Sequence, residues 1–328
     1  MTWRSLTIFF ITALTAALLA GSGLAADSPA KWRFPEKWLP LDKDGWTVLK
    51  PGREARLIYV SSREGKDETA RAHAPASDEV GANPFLPKGP VKAFATLEKA
   101  LEQARPGQGD WVILKRGDSW SGAAIQVPDG RSGAEPTVLG AYGPAAERPV
   151  LRGDPKVSVG HFKGGAQFVV FTGIELYDSK KDPQSPDHAV VKGEDMRNCG
   201  IFFSVGKGHA FKNVLVEDCL LRYAMVSFIN YAKEGRQEDT PITDVVIRRS
   251  LILDHYRPIG HTMGIWANDA SFLLEECILD HNGWLNYPTA ENRENKEPGI
   301  AIGLSHDTYL CDCYNMVFRG NMFLRGAS

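Results

Sequence analysis

The apolar residues of this chain come mostly in short runs. Trp111-Val112-Ile113-Leu114, Thr137-Val138-Leu139-Gly140 and Phe168-Val169-Val170-Phe171 are β-rich and bounded by Gly, Asp and Pro. Each predicts a strand, and Leu57-Ile58-Tyr59-Val60 predicts an earlier one. Between 61 and 90 the chain is rich in Gly, Pro, Asp and Ala, which predicts loop. One segment has a different period. Phe94, Leu97, Leu101 and Ala104 recur at spacings of 3, 4 and 3, lining one face of a helix over 97–105. Thr96 is its N-cap, Glu98 complements its positive end, and Pro106-Gly107 stops it. No comparable amphipathic helix follows, so an α/β alternation is excluded.

A weak internal repeat follows. Val214-Leu215-Val216-Glu217-Asp218-Cys219-Leu220-Leu221 superposes without gaps on Val245–Ile252, Phe272–Leu279 and Met316–Phe323, and a degenerate copy runs from Val169 to Leu176. Apolar residues hold positions one, three and eight, and the sixth is small in four copies: Cys219, Ser250, Cys277 and Asn321, with Ile174 in the earliest. This reads as strand, sharp bend, strand, with the sixth positions stacked inside the bend. They recur 45, 31, 27 and 44 residues apart, the irregular spacing of a solenoid with one coil per repeat and loops pushed outward. A second strand precedes each bend, in 200–203, 225–229, 263–267 and 299–302, so each coil has three strands. Long polar loops are expected at 179–198 and 285–298. A propeller would show a fixed aromatic signature and a sandwich two-residue hairpins; neither is present. The predicted fold is an all-β parallel β-helix whose short N-terminal helix caps the first coil and shields its open edge.

Composition narrows the setting. Arg4, an apolar run over 6–19 and the small residues 21–26 form a secretory signal, taken as 1–25. Residues 26–56 are then a lead, and 57–328 the β-helix domain. The run is short for a spanning helix and no second one approaches membrane length, so stable membrane insertion is not expected. Secreted or periplasmic placement is. Loss of Arg4 takes the formal charge from −2 to −3, which argues against a nucleic-acid partner. An odd count of five Cys leaves at least one thiol without an intramolecular partner, and most read as small buried hydrophobes. The chain ends just after a coil strand with no terminal cap, so a truncated C-terminal end is expected.

Several segments resemble a known superfamily. Ile58-Tyr59-Val60-Ser61, Phe94–Leu101 and Arg105-Pro106-Gly107 resemble the opening of secreted pectate-lyase-like right-handed β-helix proteins. Pro136-Thr137-Val138-Leu139-Gly140-Ala141-Tyr142-Gly143 and Arg148-Pro149-Val150-Leu151 match a run of the same superfamily. The resemblance covers roughly 57–328 and implies a right-handed coil, an extracellular polysaccharide as partner and a monomer. It includes lyases, hydrolases, epimerases and adhesins, and fold alone does not choose among them. The paired-Asp and Arg-x-Lys signatures of polygalacturonases and the epimerase Asp-Pro-His-Asp run are absent, although Gly260-His261 is similar to the polygalacturonase Gly-His element. Calcium is compatible with the superfamily, but no acidic cluster marks its site and no metal ligand is assigned.

Candidate chemistry gathers after the bend strands. Arg222-Tyr223, Asp254-His255-Tyr256-Arg257, Asp280-His281-Asn282 and Arg325 occupy related places in successive coils, with His261 and His306-Asp307 beside strands of the same region. Strands about 4.8 Å apart would bring Asp254-His255 and Asp280-His281 into one surface patch. β-Elimination on a uronate would use His255, His261 or His281 as base. Arg222, Arg257 or Lys233 would hold the carboxylate. Trp266 and Trp284 would stack on sugar rings, and Tyr223 and His306 would contact substrate. Two alternatives use the same patch: hydrolysis by Asp254 and Asp280, and glycan binding without catalysis, the polar residues serving the turns.

Overall fold

The computed structural model describes residues 34–122, 124–153, 158–161, 165–188, 200–206, 209, 211–230, 242–256, 262–285, 300–301 and 305–327. The leader at 1–25, His261, Arg257 and Lys233 lie outside them.

Nearly every element is a strand, and three sheets are wholly parallel. The first contains, in spatial order, β1 (Leu57–Val60), β2 (Trp111–Lys115), β5 (Thr137–Tyr142), β8 (Ala166–Thr172), β11 (Phe211–Glu217), β14 (Ile242–Arg248), β17 (Ala270–Glu275) and β22 (Val317–Arg319). The second runs through β3 (Ser119–Ser121), β6 (Val150–Arg152), β9 (Glu175–Tyr177), β12 (Leu220–Arg222), β15 (Leu251–Leu253), β18 (Ile278–Asp280) and β23 (Met322–Leu324). The third holds β4 (Ala124–Ile125), β7 (Ser158–His161), β10 (Gly200–Val205), β13 (Met225–Asn230), β16 (Thr262–Asn268) and β21 (Ser305–Cys311). The chain visits the first, second and third sheets in turn, so each circuit lays one strand beside its predecessor in each sheet.

The repeat register is the one its sequence alignment gives. Val214 pairs with Val169 and Val245, and Leu220 with Leu251. The sixth positions form one column: the Cys219 N–H donates to Ser250 Oγ at 3.1 Å, and the Cys277 N–H to Asn321 Oδ1 at 2.9 Å. The bend itself falls one residue earlier. Gly173, Asp218, Arg249, Glu276 and Gly320 all have φ between 48° and 70°. A left-handed residue at each circuit turns the chain, which is why this place holds Gly or a polar residue.

Alternation along the first sheet sorts its side chains. Ile58, Val112, Leu139, Val169, Phe171, Val214, Val216, Ile247 and Leu274 point into the interior cluster. Tyr59, Trp111, Ile113, Val170, Leu215 and Val246 form a second cluster outside the sheet, covered by Trp38, Leu39, Leu49 and Phe85. Each fully buried aliphatic or aromatic side chain contributes about 1.5–3 kcal/mol. Position four carries charge on that outer face and alternates in sign up the stack: Glu217, Arg248, Glu275, Arg319, each opposite the next.

Two expectations need correction. The helix α1 spans Leu97–Leu101, shorter than 97–105, with Thr96 as N-cap accepting from the Lys99 N–H. Leu97 and Ala100 enter the interior cluster, and Gln103 and Ala104 continue as turn hydrogen bonds to Ala100 and Leu101. The predicted strand at 299–302 is not in the third sheet: β20 (Ile300–Ala301) pairs antiparallel with β19 (Trp284–Leu285). The polar segment β21 takes the place beside β16 instead, in register Trp266 to Tyr309. The last circuit leaves Phe318, Met322, Phe323 and Leu324 exposed.

Candidate functional site

The second sheet ends at another left-handed bend, where Tyr223, Asp254, His281 and Arg325 have φ between 46° and 58°. The register Arg222–Leu253–Asp280–Leu324 puts these four in one column, one residue further on. The two Asp-His pairs are therefore one residue out of phase. Asp254 stands beside His281, and its Oδ1 lies 2.7 Å from His281 Nδ1. Both side chains are partly exposed, at 33% and 25%. Asp280 turns the other way and accepts two bonds from Arg325, Nε at 2.8 Å and Nη2 at 2.7 Å. That guanidinium holds the Asp280 carboxyl below its ordinary range.

Trp284 completes the surface. Its ring lies 7° from the plane of His281 with centroids 6.2 Å apart, and its indole N–H donates to the Arg325 carbonyl. The left-handed Gly283 brings this turn against β21: a Cβ there would meet the His306 nitrogen at 3.1 Å. His306 is half-buried and stacks on Tyr309 at 5.4 Å, and Tyr309 stands edge-on to Trp266 at 6.5 Å. Asp254, Asp280, His281, Trp284, Arg325 and the backbone of His306 thus converge from three circuits.

Other expected site residues are placed elsewhere. His255 is aligned with Asn282 and fully buried, with Nδ1 3.2 Å from Thr262 Oγ1, so it is not a surface base. Asn282 holds it there: its Oδ1 accepts the His255 N–H, and its Nδ2 donates to the Ile252 carbonyl and to Asp307 Oδ1. Burial raises Asp307 to about 6. Arg222 is committed to Glu175 at 2.8 Å and to the face of Tyr177 at 3.9 Å. Tyr223 is buried in a ladder between Tyr177 and Tyr256, with its hydroxyl on Asp182. Arg222 and Tyr223 therefore hold the 175–188 segment in place, and Tyr223, although it neighbours Asp254 in the column, is buried and engaged with Asp182.

Among the described residues no group of three His, Cys, Asp or Glu side chains is arranged to hold a metal ion, calcium included. Cys219 and Cys277 are buried in the corner column, their thiols pushed up to about 12 by burial. Among the described residues no helix is long and apolar enough to cross a membrane.

The comparisons with known proteins are sparse. No protein-family model matches the chain, and no curated protein matches its sequence. Among solved structures, one titled as a GH136 lacto-N-biosidase from Eubacterium ramulus, a selenomethionine derivative, is similar at 12% identity and a TM-score of 0.45. The match covers 82% of this chain and 52% of that one, so the chain spans about half its length.

Tyr309 was not visible as a site residue in the sequence. It sits in Ser305-His306-Asp307-Thr308-Tyr309-Leu310-Cys311, whose polar composition hides a strand. Its register with Trp266 is a property of the stack alone.

Proposed function

We propose that this is a secreted or periplasmic protein acting, as a monomer, on an extracellular acidic polysaccharide, and that it cleaves a uronate-containing chain by β-elimination. The architecture we assign is the pectate-lyase-like right-handed parallel β-helix, with α1 as its cap. Three parallel sheets visited in rotation support it, as do the matching segments at 58–61, 94–101, 105–107, 136–143 and 148–151. Parallel crossovers are right-handed in about 98% of cases, which supports the hand.

The observation that carries the chemistry is the contact between Asp254 and His281 across neighbouring circuits. With Asp254 ionised, the shared proton sits on Nδ1, which leaves Nε2 of a neutral imidazole to accept a proton. In the reaction, the C5–H bond of the uronate breaks and its proton goes to Nε2. The electron pair forms the C4–C5 double bond as the C4–O bond breaks, the departing oxygen takes up a proton from water, and the imidazolium returns its proton to solvent. Arg325, fixed by Asp280, presents its remaining N–H groups to the substrate carboxylate, whose neutralisation makes the C5 proton acidic enough to leave. Trp284 offers a platform for a sugar ring. Hydrolysis by Asp254 and Asp280 fits less well. Asp280, held ionised by Arg325, could serve only as base or nucleophile, and the general acid would have to be Asp254, which is engaged by His281.

The test is a panel of uronate polymers followed for the ultraviolet band of the unsaturated product and for reducing ends. The band should appear with the wild type and vanish with His281→Ala. Reducing ends without the band would replace elimination by hydrolysis; neither signal, with glycan binding kept, would leave a binding protein.

A further inference from the structure

The outer face of the first sheet carries a concavity that shares no lining residue with the His281 patch. It is a groove of about 640 Å³ between the lead, the 83–86 turn and the sheet's outer corner, within the roughly 300–1,000 Å³ usual for small-ligand sites. Away from the first described residue and the last circuit, the exposed large apolar side chains among the described residues are Leu41, Trp46 and Leu86. The last two line this groove.

Trp46 is held for display. Asp42 Oδ1 accepts the Trp46 N–H at 2.8 Å and the Asp44 N–H at 2.9 Å, closing a tight turn. Gly45, at φ 79°, takes the left-handed backbone that the turn needs, and a Cβ there would press on Arg249 Nη2 at 3.0 Å. That guanidinium lies 4.2 Å from the indole centroid, so one face of the ring is covered while the residue remains 41% exposed. The opposite wall is equally fixed. Phe85 stacks on Trp111, its carbonyl accepts the Gly143 N–H, and Asn83 Oδ1 accepts the Phe85 N–H.

The polar groups converge on the floor. Asp218 Oδ1 accepts from Arg148, while Asp218 Oδ2 is 3.9 Å from Arg116 Nη2, beyond a direct hydrogen bond. Acceptor and donor are thus spaced for a hydroxyl to sit between them. The floor is low because it is built from Ala141, Gly143 and Gly173; a Cβ on Gly173 would meet Arg116 Nη2 at 3.4 Å and Asp218 Oδ2 at 3.6 Å. Glu217, the other acid in the wall, is matched by Arg248 at 3.0 Å. Each charged side chain of the lining, Arg116 included, thus has an opposite charge within 3.9 Å.

We propose that this groove binds a neutral glycan, one ring stacked on the free face of Trp46 and its hydroxyls bridging Asp218 and Arg116. A pyranose offers what the walls ask for: an apolar face of C–H groups and a rim of hydroxyls that donate and accept. A uronate carboxylate would have to compete with Asp218 and Glu217 for guanidiniums that are already paired. The groove would hold an uncharged stretch of polymer apart from the patch at His281, and the inference does not rest on elimination at that patch.

Isothermal titration of the full chain with neutral oligosaccharides (β-linked glucose, mannose, xylose and galactose hexamers) and with uronate hexamers tests it. At least one neutral hexamer should bind wild type and His281→Ala alike. Trp46→Ala should weaken that binding at least about tenfold, as loss of an aromatic anchor does. Ala145→Trp, which fills the groove from a half-exposed wall position and leaves the Trp46 turn untouched, should do the same. It carries the test if Trp46→Ala fails to fold by circular dichroism. Binding of uronate hexamers alone, no binding of any hexamer, or affinity for the neutral sugar unchanged in Ala145→Trp would overturn the proposal.

Discussion

Replacing Arg248 by Met probes the charged column that ties the lead to the stack. Arg248 is 2% exposed, with Glu217 at 3.0 Å on one side and Glu275 at 3.2 Å on the other. Glu275 keeps Lys37 at 3.1 Å and Arg319 at 3.4 Å after the change. Glu217 keeps Thr47, through its N–H at 3.3 Å and its side chain, and of the guanidiniums acting on it only the more distant Arg249, so the orphaned charge falls on it. Breaking a buried pair from one side costs about 3–5 kcal/mol, against a total stability of about 5–15 kcal/mol. The pH dependence follows from Glu217, whose pKa burial already raises above the usual carboxylate value. A folded pKa above the unfolded one means that ionising the group favours the unfolded chain. Its contribution is full at acid pH and is lost as pH rises through the folded value. Without Arg248 that pKa rises further. Urea unfolding should therefore show a loss of about 3–5 kcal/mol for Arg248→Met at neutral pH and a clearly smaller loss near pH 4. An equal loss at both pH values, or one below about 1 kcal/mol at neutral pH, would refute the picture of Glu217 as a buried ion dependent on Arg248.

Asp307, raised to about 6 by burial, contributes stability below the ordinary carboxylate range that disappears as pH climbs through 6. Asp307→Asn keeps an acceptor for Asn282, so it should stabilise by on the order of 1–2 kcal/mol above that pH and not at pH 4, read from urea midpoints. Asn321→Ala removes the acceptor of the Cys277 N–H and the donor to the Leu274 carbonyl, both at 2.9 Å, and should lower stability by about 1–3 kcal/mol in the same assay. Asp254→Asn takes the carboxylate from His281 and should cut the rate of product-band formation about 10²–10⁴-fold. The melting temperature should barely move, because a partly exposed pair contributes about 0–1 kcal/mol. An unchanged rate would remove Asp254 from the site.

The repeat was legible because its spacing around the corner is constant. From the fourth to the seventh position no residue is inserted in five copies, so Glu217, Arg248, Glu275 and Arg319 could be aligned by eye, and the structure pairs them so. The earlier circuits were legible only as strands. Residues 116–118 and 143–149 lengthen the corners after β2 and β5, and a gapless alignment misses them. The third sheet was read correctly where its strands were apolar and wrongly at 299–302, where an apolar pair belongs to a local hairpin. Tertiary pairing overrode the pattern there. The site was half visible. Its residue types stood out, but which of them face outward depends on a left-handed residue after each short strand of the second sheet. Polar composition does not reveal that bend, so the sequence pattern places His255 on the surface, whereas the structure turns it inside.

The phase difference between the two Asp-His pairs is also what makes a dyad available. Had both pairs occupied the same positions relative to the corner, each column would hold identical residues: Asp on Asp at one level and His on His at the next. Like charges one strand spacing apart repel, and no acid would stand beside a base. Ser250 and Cys277 are aligned, yet Asp254 follows the first by four residues and Asp280 the second by three. That single-residue offset sets Asp254 against His281 and leaves Asp280 to Arg325 of the next circuit. The site is thus written in the register between circuits, and each of its polar pairs draws one member from each of two neighbours. Inserting one residue between Ser250 and Asp254 would leave every side chain in the chain while separating Asp254 from His281. If the pair carries the chemistry, such an insertion should abolish activity as thoroughly as Asp254→Asn.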